Sequence, residues 1–135
     1  MQYDLQLIGY VNVFENVTRA KVKEVFYDQQ ETLVFIIEEG DAGKAIGKHG
    51  SNVKRLAALI KKRIKIIEYN TQLLPFVKNC LFPVIPKNIT QEENTIIITT
   101  KDGHDKSLLY GREKSNFKNI QMIVNKFYPV TLKIQ

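Results

Sequence analysis

Apolar residues fall along the chain in short β-prone runs and in helix-like spacings, and the changes between them divide it into short elements. Leu5 to Phe14 spaces its apolar residues unevenly but densely, and this predicts a helix. Val22–Tyr27 and Thr32–Glu38 are rich in β-branched and aromatic residues. The polar stretch Asp28-Gln29-Gln30-Glu31 between them predicts a hairpin. Gly40-Asp41 can end the second run and cap a short helix over Ala42–Ile46. From Ser51 to about Lys62, Val53, Leu56, Ala57 and Ile60 follow the i, i+3, i+4, i+7 rule of a helix with one buried face. Ile64–Tyr69 then predicts a strand. The resulting order is helix, strand, strand, helix, helix, strand.

The second half repeats the first. Ser51-Asn52-Val53-Lys54-Arg55-Leu56 returns 64 residues later as Ser115-Asn116-Phe117-Lys118-Asn119-Ile120. The same spacing carries Asp41 onto Asp105, Gly47 onto Gly111 and the strand Leu33–Ile37 onto Ile97–Lys101, with the last strand falling near Pro129–Lys133. A constant spacing shared by an Asp, a Gly, a strand and a helix face predicts two tandem copies of one module, residues 1–70 and 71–135. Leu73–Phe82 then opens the second copy as its first helix. No Pro/Gly/Ser-rich spacer lies between the copies, so a stiff junction is expected. At about 65 residues each copy is near the lower limit for an independent core, which packing of one against the other would relieve.

Charge sharpens this picture. The whole chain carries a net charge of +6. The window Ala42–Ile67 holds eight Lys or Arg residues and no Asp or Glu. At its centre stands Gly47-Lys48-His49-Gly50, two glycines around a basic pair. Glycine lets backbone N–H groups approach a charged ligand closely, and the uncompensated cations favour a phosphate. Other chemistry is thin. One cysteine, Cys80, and two histidines, His49 and His104, supply no metal set and no nucleophile–base pair, so no catalysis, metal or cofactor is expected. Cys80 lies among apolar residues and is expected in the core. No apolar run reaches membrane-spanning length and the opening residues show no basic-then-apolar pattern, so a cytoplasmic location is expected.

A phosphate can belong to a nucleotide or to a nucleic-acid backbone, and spacing separates the two. A nucleotide-binding P-loop places four residues between its glycines and a Ser or Thr after its lysine. Gly43-Lys44-Ala45-Ile46-Gly47-Lys48 places three, and His49 follows. The loop instead joins two helices. In that setting Gly43-Lys44-Ala45-Ile46-Gly47-Lys48-His49-Gly50-Ser51-Asn52-Val53 resembles the signature of a KH domain, and the element order resembles the type II form of that domain. The preceding Val34–Asp41 stretch is similar to archaeal NusA-like transcription factors, a family of short tandem KH proteins.

The resemblance implies an α+β fold of two tandem type II KH domains, each a three-stranded sheet covered by helices on one face. It implies single-stranded RNA as partner, with no small-molecule substrate and no membrane, in transcription elongation or termination alongside RNA polymerase. An RNA-binding role in ribosome assembly or translation, and a non-catalytic RNA polymerase adaptor, are the alternatives. The RNA-binding residues would be Lys44, Ile46, Gly47, Lys48, His49, Gly50, Val53, Lys54 and Arg55, with bases over a groove ending at the sheet edge near Ile36. Ile46 and Val53 are expected first in the core. Lys61, Lys62 and Arg63 are assigned to the helix dipole rather than to the site. The second copy reads Gly111-Arg112-Glu113-Lys114, with an added acid and no second glycine. Lys114 is expected to oppose a positive φ, leaving Gly111, Arg112, Lys114 and Lys118 as a weaker site. Tyr110 and Tyr128 are candidates for base stacking, with core use favoured.

Overall fold

A computed structural model describes residues 5–135. The chain divides between Asn70 and Thr71 into two compact units. The first contains α1 (Leu5–Thr18), β1 (Val22–Tyr27), β2 (Leu33–Ile37), α2 (Ala42–Ile46), α3 (Ser51–Ile60) and β3 (Ile64–Glu68). The second contains α4 (Leu73–Leu81), β4 (Asn88–Glu92), β5 (Thr95–Thr99), α5 (Gly103–Tyr110), α6 (Ser115–Asn125) and β6 (Thr131–Ile134). Each unit has one three-stranded sheet, ordered β1-β2-β3 and β4-β5-β6. In both, the first pair is antiparallel and the second parallel, so the α-helical pair is the crossover that a parallel pairing requires.

Local chemistry explains these elements. The β1–β2 hairpin closes on Asp28, whose Oδ1 accepts from the N–H groups of Gln30 at 2.8 Å and Thr32 at 2.9 Å. Helix α1 runs beyond Phe14, the residue at which periodicity ends it. Thr18 Oγ1 donates to the Phe14 carbonyl and accepts from Ala20 N–H, and Arg19 turns left-handed at φ 64° to close the helix. Helix α3 stops at Ile60 rather than Lys62 for the same reason: Lys61 takes φ 59° and its N–H returns to Ala57 O. Neither stop uses a glycine, so neither shows in the sequence.

The first core gathers Phe14 from α1, Val25, Leu33, Phe35 and Ile37 from the sheet, Ala45 from α2, and Leu56 and Ile60 from α3. Phe14 and Phe35 stack at 4.4 Å between ring centroids. The expected apolar face of α3 is narrower than its periodicity suggests. Leu56 and Ile60 are buried, but Val53 and Ala57 are exposed because only one edge of the stripe reaches α1 and the sheet. The groove edge expected near Ile36 is also corrected. Strand β2 is central, bonded to neighbours on both sides, and Ile36 is fully buried. The edge strand that follows α3 is β3.

In the second unit Phe76, Val77, Cys80, Ile96, Ile98, Leu109, Ile120, Ile123 and Val124 are buried. Cys80 is thus a core residue, as expected. The spacing of 64 holds for the loop and the helix after it, but not for the strand, which lies at Thr95–Thr99, two residues before the expected Ile97–Lys101. The difference is taken up by α5, eight residues long where α2 has five. Asp105 consequently is not the counterpart of Asp41. The residue that opens α5 is Asp102, whose carboxylate accepts from Asp105 N–H at 2.9 Å. The last connection is longer too, and Gln121 and Asn125 hold it by donating to Val130 O at 2.9 and 2.8 Å.

Leu56→Ala is expected to cost about 2–5 kcal/mol in urea denaturation, the range for a large-to-small change in a packed core. Val53→Ala is expected to cost under about 1 kcal/mol. Equal losses would return Val53 to the core.

Candidate nucleic-acid interface

The turn between α2 and α3 is built on backbone that only a few residues tolerate. Gly47 has φ 75° and ψ 171°, His49 φ 56° and ψ 28°, and Gly50 φ 73° and ψ 18°. A Cβ on Gly47 would meet Asn52 at 2.8 Å from Cγ and 3.0 Å from its backbone nitrogen. That side chain is held in place: Asn52 Nδ2 donates to Lys44 O at 2.7 Å, tying the first turn of α3 to α2 across the loop. At Gly50, by contrast, a Cβ would meet nothing within 4 Å. The first glycine is therefore required by packing. The second keeps a space open.

Around this turn the expected residues come together on the surface. Lys48 and His49 lie at its tip, and Lys54 and Arg55 are exposed on the first half of α3. None of these four lies within 4.0 Å of a carboxylate among the described residues. Lys44 is exposed but pairs with Asp41 at 3.7 Å, a surface ion pair of little energy. No side chain caps the N-terminus of α3, so its first N–H groups face the turn and favour an anion. Ile46 and Val53, expected first in the core, are 48% and 40% exposed on either side of the turn. Together these residues make an electropositive turn flanked by apolar side chains. Asn52 is the residue that sequence reasoning passed over. Its recurrence as Asn116 was visible, but its bond was not.

The second turn has nearly the same backbone. Gly111 takes φ 68° and ψ −177°, Glu113 φ 54° and ψ 32°, and Lys114 φ 62° and ψ 20°. Asn116 Nδ2 donates to Leu108 O at 2.9 Å, and a Cβ on Gly111 would lie 2.7 Å from Asn116 Cβ. Lys114 thus adopts the positive φ that it was expected to oppose. The left-handed region costs a side-chain-bearing residue about 1–2 kcal/mol, which the packed frame sustains. What changes is the surface. Arg112 and Lys118 remain exposed, Glu113 adds a carboxylate, and Lys114 Nζ lies 5.8 Å from the centroid of Tyr110. Tyr110 and Phe117 replace Ile46 and Val53, and their rings approach to 5.7 Å. Tyr128 instead meets Phe76 at 5.7 Å.

The KH-domain family model matches residues 10–79, which include the whole first turn and both flanking helices. The chain belongs to the KH-domain family. The chain has relatives among archaeal proteins. Over 74 residues it is 42% identical to "Probable transcription termination protein NusA" of Methanococcus vannielii, a match that covers 55% of this chain but 42% of that protein. A protein of the same name from Halococcus morrhuae is 24% identical over 125 residues, 91% of this chain and 89% of the relative. These matches agree with the NusA-like resemblance read from Val34–Asp41 and the turn that follows it. A solved structure titled "Crystal structure of APE1850" superposes with a TM-score of 0.73 at 27% identity, covering 98% of this chain and 100% of that one.

Gly47→Ala is expected to destabilise the KH domain by about 1–3 kcal/mol, because the added methyl overlaps Asn52. Gly50→Ala carries only the left-handed strain of about 1 kcal/mol. Chemical denaturation of the two variants checks the order. A larger loss at Gly50 would contradict it.

Proposed function

We propose that the protein is a non-catalytic, single-stranded RNA-binding factor of two tandem type II KH modules, residues 1–70 and 71–135, acting in transcription elongation or termination. The observation that carries this reading is the Gly47–Gly50 turn: an open glycine, an uncapped helix end and four basic side chains with no carboxylate beside them among the described residues, with Ile46 and Val53 exposed next to them. Such a turn suits a sugar–phosphate backbone, of which a KH domain clamps about four nucleotides. In this reading Gly47 and Gly50 admit the backbone, and Lys48 and His49 face phosphates. Lys44, Lys54 and Arg55 add longer-range attraction, and bases lie over Ile46 and Val53.

The second module shares the element order and the turn geometry of the first, which supports a common origin. Its Gly111, Arg112, Lys114 and Lys118 form the weaker site, because the Lys114 side chain occupies the space that Gly50 leaves open and Glu113 repels a phosphate. The place in transcription rests on the names of the archaeal relatives, and RNA polymerase is the protein partner this implies. No helix among the described residues is long and apolar enough to cross a membrane.

An RNA titration over several salt concentrations tests this. Lys48→Asp/His49→Asp should weaken binding at least tenfold and flatten the salt dependence by about 0.7 for each phosphate that is no longer neutralised. Arg112→Asp should weaken it by less than about threefold, since its turn lacks the open position. A wild-type affinity independent of salt would overturn the backbone clamp.

A further inference from the structure

The far end of α3 carries a second cationic feature. A cleft of about 530 Å³ opens there, lined by Tyr27, Glu31, Lys62 and Arg63. It joins the end of β1, the hairpin and the α3–β3 connection. Arg63 is tied to the hairpin and to β2. Arg63 O accepts from Leu33 N–H at 2.9 Å, and its Nη2 donates to Gln30 O. A guanidinium has five N–H donors, so others remain for a ligand. Lys62 Nζ lies 5.8 Å from the centre of the Tyr27 ring, which is 39% exposed. Neither Lys62 nor Arg63 has a carboxylate within 4.0 Å among the described residues. Partial burial pushes the Tyr27 phenol above its ordinary value despite the opposing Lys62 charge, so it adds no negative charge at neutral pH. Lys61 ends the helix in a left-handed turn, so Lys62 and Arg63 lie beyond its last residue.

We propose that the Tyr27–Lys62–Arg63 cleft is a second RNA-binding site, taking a phosphate between the two cations and a base on the exposed tyrosine ring. The inference rests on the RNA-binding reading of the Gly47–Gly50 turn. Helix α3 has ten residues, which separates the cleft from that turn by about 15 Å at 1.5 Å per residue. A stacked strand advancing about 3.4 Å per nucleotide crosses this in about four or five nucleotides. A strand clamped at the turn therefore reaches the cleft only if it extends past the clamped nucleotides. Aromatic stacking with a neighbouring cation suits single-stranded nucleic acid of any sequence. Glu31, exposed at the rim, opposes a phosphate and limits the affinity.

The test compares a four-nucleotide with a twelve-nucleotide oligouridylate on the full chain, with amide NMR shifts recorded at Lys61–Arg63. The wild type should bind the longer RNA more tightly, and the Lys61–Arg63 signals should move with the longer RNA alone. Lys62→Glu/Arg63→Glu should weaken the longer RNA about tenfold and lower its salt slope by about 0.7 for each phosphate that is no longer neutralised. It should leave the shorter one unchanged. Glu31→Gln, which misfolding cannot mimic, should tighten the longer RNA. Equal effects on both lengths, or unmoved Lys61–Arg63 signals, would overturn the proposal while leaving the turn intact. Movement of those signals with a polyglutamate peptide and not with RNA would assign the cleft to a protein partner and overturn it too. Loss of binding only in Lys48→Asp/His49→Asp would support the turn against the cleft. Failure of the wild type to bind either RNA would overturn both readings.

Discussion

The close approach of Gly47 and Asn52 sets the shape of the site. Asn52 reaches across the turn to the Lys44 carbonyl, and its side chain occupies the volume where a Cβ at position 47 would stand. The bond fixes how α3 leaves α2, so the cations of α3 and the tip of the turn share one surface. An amide hydrogen bond of this kind is worth about 1 kcal/mol net. Its larger effect is geometric, since it leaves one path for the backbone between the helices. Gly111 and Asn116 repeat the arrangement, with Asn116 Nδ2 donating a hydrogen bond to Leu108 O.

The repeat separates two demands that the glycines of the first turn combine. One is the frame, which needs a glycine at the first position and an asparagine five residues later. The other is access, which needs nothing at the second position. In the second turn Lys114 keeps the frame and removes the access. A lysine in the left-handed region is tolerated there because position 50, its counterpart, borders open space. In the proposed reading Gly50 matters chiefly for what it admits, and Lys114 shows how the same frame can carry a different surface.

Much of this was legible in the sequence. The β-branched and aromatic runs marked β1 and β2, and the polar stretch Asp28–Glu31 signalled the hairpin that Asp28 closes. The Ser-Asn repeat placed α3 and α6, and the basic, acid-free window located the turn. Three things were hidden, each for a physical reason. Helix ends at Arg19 and Lys61 use left-handed residues other than glycine, which leave no mark in composition. The apolar period of α3 cannot say how much of its stripe the core covers, so Val53 and Ala57 looked buried and are exposed. The conformation of Lys114 depends on packing around it, and intrinsic preference alone predicted the opposite. The spacing of 64 also failed where α5 lengthened, since a constant offset cannot register an added turn of helix.

The central claim is that one open position, rather than the frame, divides the binding turn from its copy. The direct measurement is RNA affinity and unfolding free energy for Gly50→Lys, which places in the first turn the residue that the second turn carries. The account predicts a folded protein destabilised by about 1–2 kcal/mol, with RNA affinity reduced at least tenfold despite the added positive charge. Affinity equal to or above that of the wild type would contradict it, because charge alone would then govern the site.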